Sequence, residues 1–329
     1  MKFAAAALAG FLFAVTGNAE PRSAAPVIAQ IAQQFDQHPL IFVGELHRWS
    51  ELHAFLREMI RTPEFICRAD DIVIEFGNSR LQELADSYIS GASITDEQLQ
   101  SLWRETAVPL TWNSPLYRQF YEAVREINQE HICSHPIRLV LADPPLDWSK
   151  IKTASDLAPW GDRDASFAQV VEREVLAQHH RALLLAGQYH VVKSVPRDET
   201  DGPRAAQIIE RAHPGALFSV VAVPPSAIDA MRMEAAPSFR VVRGSELEHA
   251  DYALIATAQP PQDWPPLGEV VDGLLNIGAQ HFIYPSPVIY LDPAYQRELR
   301  RRATIIKAWS GQDFIAGIDA LVNEATKAK

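Results

Sequence analysis

The side chains best suited to acid–base chemistry in this sequence lie at the ends of short apolar runs. Glu45 and His47 follow one such run, Glu75 lies at the end of a second, and His190 follows a third. An imidazole can take up or release a proton near neutral pH, and an adjacent carboxylate can orient it and stabilise its charged form. These four residues are therefore the predicted catalytic residues of a site that activates water.

The same side chains are good ligands for a divalent metal. His47, Glu75 and His190 could hold zinc, manganese or iron, and the metal would lower the pKa of a bound water to the same end. The sequence does not separate the metal-dependent mechanism from the metal-free one. Another interpretation makes His47 and His190 hydrogen-bonded histidines at strand ends and Glu75 a carboxylate held in an ion pair.

Three further residues are candidates for binding a substrate. Asp143 ends another apolar run, although an aspartate before two prolines could also shape a turn. Arg125 and Asn128 share one face of a predicted helix, where the arginine could bind a substrate carboxylate, hold Glu75 or be structural. Tyr189 could line an aromatic pocket together with Trp103, Trp112 and Tyr117, although such residues more often belong to a core.

The elements that position these residues alternate short apolar runs with amphipathic stretches. This pattern predicts an α/β fold with a mainly parallel central sheet and helices on both faces. In such sheets, ligands bind at the carboxyl ends of the strands, where the candidate residues lie. The predicted strands are 39–44, 71–76, 137–142, 181–186, 217–223 and 252–257, and 282–291 is predicted to form an edge hairpin or strand because of its prolines.

The N-terminus has the pattern of a secretory signal peptide. Residues 1–19 combine one lysine, an apolar run too short to span a bilayer comfortably, and small residues before the expected cleavage site. We expect an exported protein, periplasmic or secreted, without stable membrane insertion. Residues 20–329 are predicted to form a single α/β domain in which about 234–280 is a proline-rich irregular region.

Charge and cysteine content narrow the partners and the compartment. A formal net charge of −11 argues against nucleic acid and favours a small molecule or a peptide. Cys67 and Cys133 are the only cysteines, and both precede predicted strands. If those strands are adjacent and parallel, both thiols lie at the edge away from the site, so we predict a disulfide; two unpaired thiols are the alternative. The sequence does not indicate an oligomeric state.

These motifs resemble a known superfamily. Gly44-Glu45-Leu46-His47, Glu75 and the stretch from Leu185 to Val191 are similar to the group formed by erythromycin esterase-like proteins, ChaN-like haem-binding proteins and TIKI/TraB proteins. The ChaN-like branch is the nearest, because it also has Gly-Glu-x-His, a second histidine where His53 stands, and Gly-x-x-His after a later strand.

Each branch implies a different function. The esterase-like branch implies a histidine that acts on water among glutamates, and the TIKI-like branch implies metal-dependent peptide hydrolysis. The ChaN-like branch implies haem or iron binding without catalysis, with His47, His53, His190 or Tyr189 as the axial ligand. Our leading hypothesis is an exported hydrolase acting on a small ester or peptide, and the alternative is a haem-binding protein. A third hypothesis is a member that kept the fold and lost the activity.

Overall fold

A computed structural model describes residues 22–108, 110–196, 202–255 and 264–327. Within these ranges, seven strands form one sheet: β1 (Leu40–Glu45), β2 (Asp71–Asn78), β3 (Arg138–Asp143), β4 (Ala182–Gly187), β5 (Leu217–Ala222), β6 (Ser238–Val241) and β7 (Gly273–Asn276).

The strand order is β3-β2-β4-β1-β5-β7-β6, and each neighbouring pair is parallel except β6 with β7. The central strand β1 pairs with β4 in a register that sets Glu45 opposite Gly187. The two Gly-x-x-His motifs, residues 44–47 and 187–190, therefore lie side by side at the carboxyl edge of the sheet.

Helices connect the strands and cover the sheet. In chain order the described helices are α1 (Ala25–Ala32), α2 (Ser50–Arg61), α3 (Pro63–Ile66), α4 (Gln82–Ile89), α5 (Asp96–Arg104), α6 (Pro115–Gln129), α7 (Ala154–Leu157), α8 (Arg163–Glu174), α9 (Ala205–Ala212), α10 (Leu267–Val270), α11 (Pro293–Ser310) and α12 (Ile315–Lys327). Short 3₁₀ turns lie between them, including Gln188–Val191 directly after β4.

Both faces of the sheet are buried. Along β1, Ile41 and Val43 pack into the core on the side of α2 and α6, whereas Leu40 and Phe42 pack into a second core with residues of α8 and α9. This alternation is the two-fold side-chain period of a strand covered by helices on both faces. The predicted α/β fold with a mainly parallel sheet is therefore confirmed, with one antiparallel edge pair.

Five predicted strands correspond to β1–β5, but two other strand predictions are wrong. Tyr252–Leu254 is a 3₁₀ turn instead of a strand, because the Asp251 side chain accepts a hydrogen bond from Ala253 N and caps it; residues 256 and 257 lie outside the described ranges. The stretch 282–291 contains one isolated bridge, from Phe282 to Trp49, and the 3₁₀ turn Pro287–Leu291. Its prolines lack the N–H groups that a paired strand donates.

The region 234–280, predicted to be irregular, contains β6, β7 and the short helix α10. Each of these elements has only four residues, so neither strand is long enough to give a clear alternation. The antiparallel edge of the sheet was missed for this reason.

The predicted disulfide is present. Cys67 and Cys133 are bonded, with their Cα atoms 5.3 Å apart, and they precede the adjacent strands β2 and β3. The bond thus lies at the amino edge of the sheet, away from Glu45 and His47. Residues 1–19 lie outside the described ranges, so the signal peptide stays a prediction. Within the described part of the chain, no helix is both long and apolar enough to cross a bilayer.

Candidate functional site

Glu45 is the centre of a buried hydrogen-bond cluster at the end of β1. Only 3% of the residue is exposed. Its carboxylate lies 2.9 Å from His47 Nδ1, accepts a hydrogen bond of 3.2 Å from the Tyr117 hydroxyl, and lies 2.6 Å from His53 Nε2. Burial alone would raise the pKa of Glu45, but His53 and His47 outweigh it and lower the pKa to about 2. Glu45 is therefore an anion that holds His47 in place.

His47 is the more accessible partner of this pair, with 34% of its side chain exposed. The indole ring of Trp112 contacts the imidazole edge-to-face, with the ring centres 4.5 Å apart. In the neutral ring, a proton on Nδ1 that is donated to Glu45 leaves the lone pair on Nε2 free. His47 is thus arranged to accept a proton at Nε2.

Glu75 organises the neighbouring half of the site from strand β2. One carboxylate oxygen accepts a 2.6 Å hydrogen bond from Gly187 N. The other oxygen lies 2.8 Å from Arg163 Nη2 and 3.3 Å from His190 Nε2. Burial opposes ionisation, but the charges of His190 and Arg163 hold the pKa of Glu75 well below its usual value. Glu75 is therefore held in an ion pair with Arg163 and also lies beside His190 in the candidate site.

His190 is bracketed by two carboxylates. Its Nδ1 lies 2.7 Å from Asp164 Oδ1, and its Nε2 faces Glu75. Burial lowers the pKa of His190, but the Glu75 charge and the hydrogen bond with Asp164 outweigh that effect and raise the pKa to about 9. At neutral pH, His190 is therefore a cation, with 21% of its side chain exposed.

Gly187 brings the two histidines together. A Cβ atom at this position would lie 3.0 Å from His47 Cε1, 3.2 Å from His47 Nε2 and 3.5 Å from His190 Cδ2. Both imidazoles thus lie over the same point at the end of β4. Gly44, in the first motif, is needed for a different reason, since a Cβ there would lie 2.9 Å from the backbone of Gln188.

Asp143 supports the site from behind Arg163. The Arg163 guanidinium bridges Asp143 Oδ1, at 2.7 Å, and Glu75. The other Asp143 oxygen accepts a hydrogen bond from Ala107 N. Burial raises the pKa of this carboxyl despite the arginine. Asp143 therefore lies next to the predicted residues, with both of its oxygens engaged by the protein.

The structure places the other two substrate-binding candidates differently. The Arg125 guanidinium donates hydrogen bonds to the carbonyls of Tyr88, Gly91 and Ala92 at the C-terminal end of α4, and it is not brought together with the histidines. Tyr189 is next to His190, and its ring stacks with the Arg204 guanidinium at 3.9 Å. Only Tyr189 shares the region of the site.

Sequence analysis missed two residues of this cluster, Arg163 and Asp164. Arg163 and Asp164 begin helix α8, so they lie at the expected carboxyl edge of the sheet. Their position at this edge was the one feature of the sequence that could have identified them as site residues. The buried rings of Tyr117 and Trp112 could not be told from ordinary core aromatics.

The donor set does not fit a metal centre held by three protein ligands. Among the described residues, no group of three or more His, Cys, Asp or Glu side chains is placed to hold a metal ion. Glu75 is engaged by Gly187 N and Arg163, and His190 Nδ1 is engaged by Asp164. The predicted ligand set of His47, Glu75 and His190 therefore offers too few free donors for such a site.

The haem-ligand candidates differ in their accessibility. His53 is 1% exposed and lies behind Glu45, so a porphyrin cannot reach it without opening the core. His190 has carboxylates at both ring nitrogens. His47 and Tyr189 are the candidates that a haem could approach from solvent.

Known proteins resemble this chain in structure. No protein-family model matches the sequence, and no curated protein matches it. A crystal structure of a Bacillus cereus protein is 10% identical with a TM-score of 0.55, covering 80% of this chain and 94% of that chain. A mutant of the erythromycin esterase EreC, in its open conformation, is 12% identical with a TM-score of 0.50, covering 77% of this chain and 94% of that chain. The chain shares their fold.

A third similar structure is the haem-binding protein ChaN of Campylobacter jejuni. It is 12% identical with a TM-score of 0.33, covering 61% of this chain and 86% of that chain. At these identities, the likeness of the first two structures shows the fold alone.

Proposed function

We propose that this protein is a hydrolase in which His47 activates water against the carbonyl of a small ester or peptide. The observation that carries the proposal is the pair of imidazoles over Gly187, each with a carboxylate at its Nδ1 atom. At His47, the carboxylate at Nδ1 leaves the Nε2 atom free to take a proton, as general acid–base catalysis requires.

The two histidines have different roles because their surroundings differ. His47 takes a proton from water at Nε2 while the water oxygen forms a bond to the carbonyl carbon. His190 carries a positive charge beside this point, and its Nε2–H is only loosely held by Glu75 at 3.3 Å. It can therefore stabilise the negative charge that develops on the carbonyl oxygen. When the bond to the leaving group breaks, the proton on His47 passes to that group.

The supporting residues keep these roles apart. Glu45 stays ionised and stabilises the imidazolium that forms at His47. Arg163 pairs with Glu75 and Asp143, so the charge of Glu75 is partly neutralised and does not cancel the positive charge of His190. We further propose export to an oxidising compartment, which the disulfide supports, and a single domain over residues 20–329.

The test is a panel of small esters and peptides assayed with wild type and His47→Ala. His213→Ala is the matched control, because His213 pairs with Glu172 on the surface, away from the site. We expect His47→Ala to reduce kcat/KM by at least about 10²-fold, the usual contribution of a general base, and His213→Ala to leave it unchanged. Equal activity in all three proteins would contradict the proposal.

The same proteins test the haem alternative. Haemin is titrated into each one, and the visible spectrum is recorded. A stoichiometric Soret band that His47→Ala removes, together with no cleavage of any panel member, would replace the hydrolase proposal by haem binding.

A further inference from the structure

Large apolar side chains are exposed together next to the site. Nine such side chains are exposed among the described residues, and four of them fall within 282–288. Phe282, Ile283 and Tyr284 are consecutive, with 42%, 40% and 63% exposure, and we call these three residues the apolar rim. Consecutive exposed apolar residues mark a binding surface more often than isolated ones do.

The apolar rim is fastened to the residues that follow His47. Ile283 N donates a 2.9 Å hydrogen bond to Arg48 O, and Trp49 Nε1 donates one of 2.9 Å to Ala279 O. The first bond joins the rim to the residue after the proposed base, and the second holds the chain just before the rim. The rim is therefore held against the chain segment that carries His47.

Arg48 joins the rim to the site. Its φ of 72° is in the left-handed region, which costs free energy for a residue with a Cβ atom and often marks a functional position. The guanidinium lies 5.2 Å from the centre of the Tyr284 ring, and its Nε donates to Thr111 O. Within the described residues its two terminal nitrogens make no hydrogen bond, and stacking on a ring leaves such in-plane donors available.

We propose that the apolar rim and Arg48 bind an amphiphilic carboxylate, either a fatty acid anion or an ester that carries a carboxylate, with its apolar chain on the rim and its carboxylate at Arg48. This assignment deepens the hydrolase proposal by naming the substrate class, and its chemical consequence rests on that proposal. The chain has a net charge of −11, so an anion needs a local cation such as Arg48 to approach.

Other occupants fit less well. A partner protein or a second copy needs about 800 Å² of surface per partner, far more than three partly exposed side chains supply. The net charge of −11 opposes docking on an anionic membrane. A small amphiphilic anion needs only a small apolar area and one cation, which the rim and Arg48 supply.

The test measures binding of decanoate and of decanol to the full chain by calorimetry, which requires no catalysis. We expect Phe282→Ser to weaken both ligands by about tenfold, since each loses the same apolar contact. We expect Arg48→Gln to weaken decanoate by about tenfold and to leave decanol unchanged. Arg48→Asn repeats the test with a residue that tolerates left-handed backbone. Val241→Ser is the matched control, because Val241 is similarly exposed on the edge strand β6.

Several outcomes would overturn the proposal. One is that the wild-type protein fails to bind decanoate, and another is that all variants bind it equally. A third such outcome is that decanoate does not bind, whereas the protein associates with phosphatidylglycerol vesicles or with a second copy and Phe282→Ser abolishes that association. The two proposals fail separately. Decanoate binding that depends on the rim, without cleavage of any ester, would contradict the hydrolase function alone. Ester cleavage that is the same for acetyl and decanoyl chains in wild type and Phe282→Ser would contradict the rim alone.

Discussion

The substitution Gly187→Ala tests the packing of the two histidines most sharply. The added Cβ would lie 3.0 Å from His47 Cε1 and 3.2 Å from His47 Nε2, so the imidazole has to move by a few tenths of an ångström. The backbone itself accepts alanine, because Gly187 has φ −54° and ψ 143°. His47 is one-third exposed and can yield, but only by disturbing its 2.9 Å hydrogen bond with Glu45.

Stability and activity should therefore separate in this variant. Alanine restricts the unfolded chain and gains about 0.4–1 kcal/mol, which offsets the mild crowding, so the free energy of unfolding should change by less than about 1 kcal/mol. A misplaced base can lower the rate by about 10²-fold. The assay is kcat/KM on the most active panel substrate, with urea unfolding in parallel. Full activity in a folded Gly187→Ala protein would refute the placement of His47 over Gly187.

Three further predictions concern charge and stability. The pKa of His190 is raised to about 9, so the charged imidazole stabilises the folded protein fully below the unfolded value of about 6.5, and this stabilisation is lost as pH rises through 9. In urea titrations the free energy of unfolding should fall by roughly 3 kcal/mol over that interval, and by much less in His190→Gln. Arg125→Ala should lower the melting temperature, because three helix-end carbonyls lose their donor, yet leave kcat/KM unchanged; a loss of activity in a protein of normal stability would restore its substrate-binding role. Reduction of the Cys67–Cys133 bond, which spans 66 residues, should cost about 4 kcal/mol of stability with little effect on kcat/KM, and an equal melting temperature under reducing conditions would contradict this.

The strands that carry the site were predictable because their sequences are unusually apolar. A parallel strand covered on both faces reads as a continuous run, as in Leu40–Glu45 and Ala182–Gly187. The two short strands Ser238–Val241 and Gly273–Asn276 were not predictable, since four residues give no period. The apolar run at 252–257 suggested a strand, but buried apolar residues also occur in capped turns such as Tyr252–Leu254.

The candidate site was partly predictable for a related reason. Glu45, His47, Glu75 and His190 leave the ends of apolar strands, so their position follows from the topology of the sheet. Arg163 and Asp164 reach the same place from a helix N-terminus, and the sequence does not say which of many charged helix ends faces the sheet. Arg125 shows the converse, because a helical arginine had a suitable charge but is held by helix-end carbonyls elsewhere.

The most direct test of the central claim is chemical rescue of His47→Ala by free imidazole, measured on the most active panel substrate. The side chain of His47 is one-third exposed, so imidazole can enter the space that the substitution leaves. If His47 is the base, activity should rise with imidazole concentration and saturate, and it should follow the fraction of imidazole that is unprotonated. A folded His47→Ala protein whose residual activity does not respond to imidazole at any pH would contradict the account.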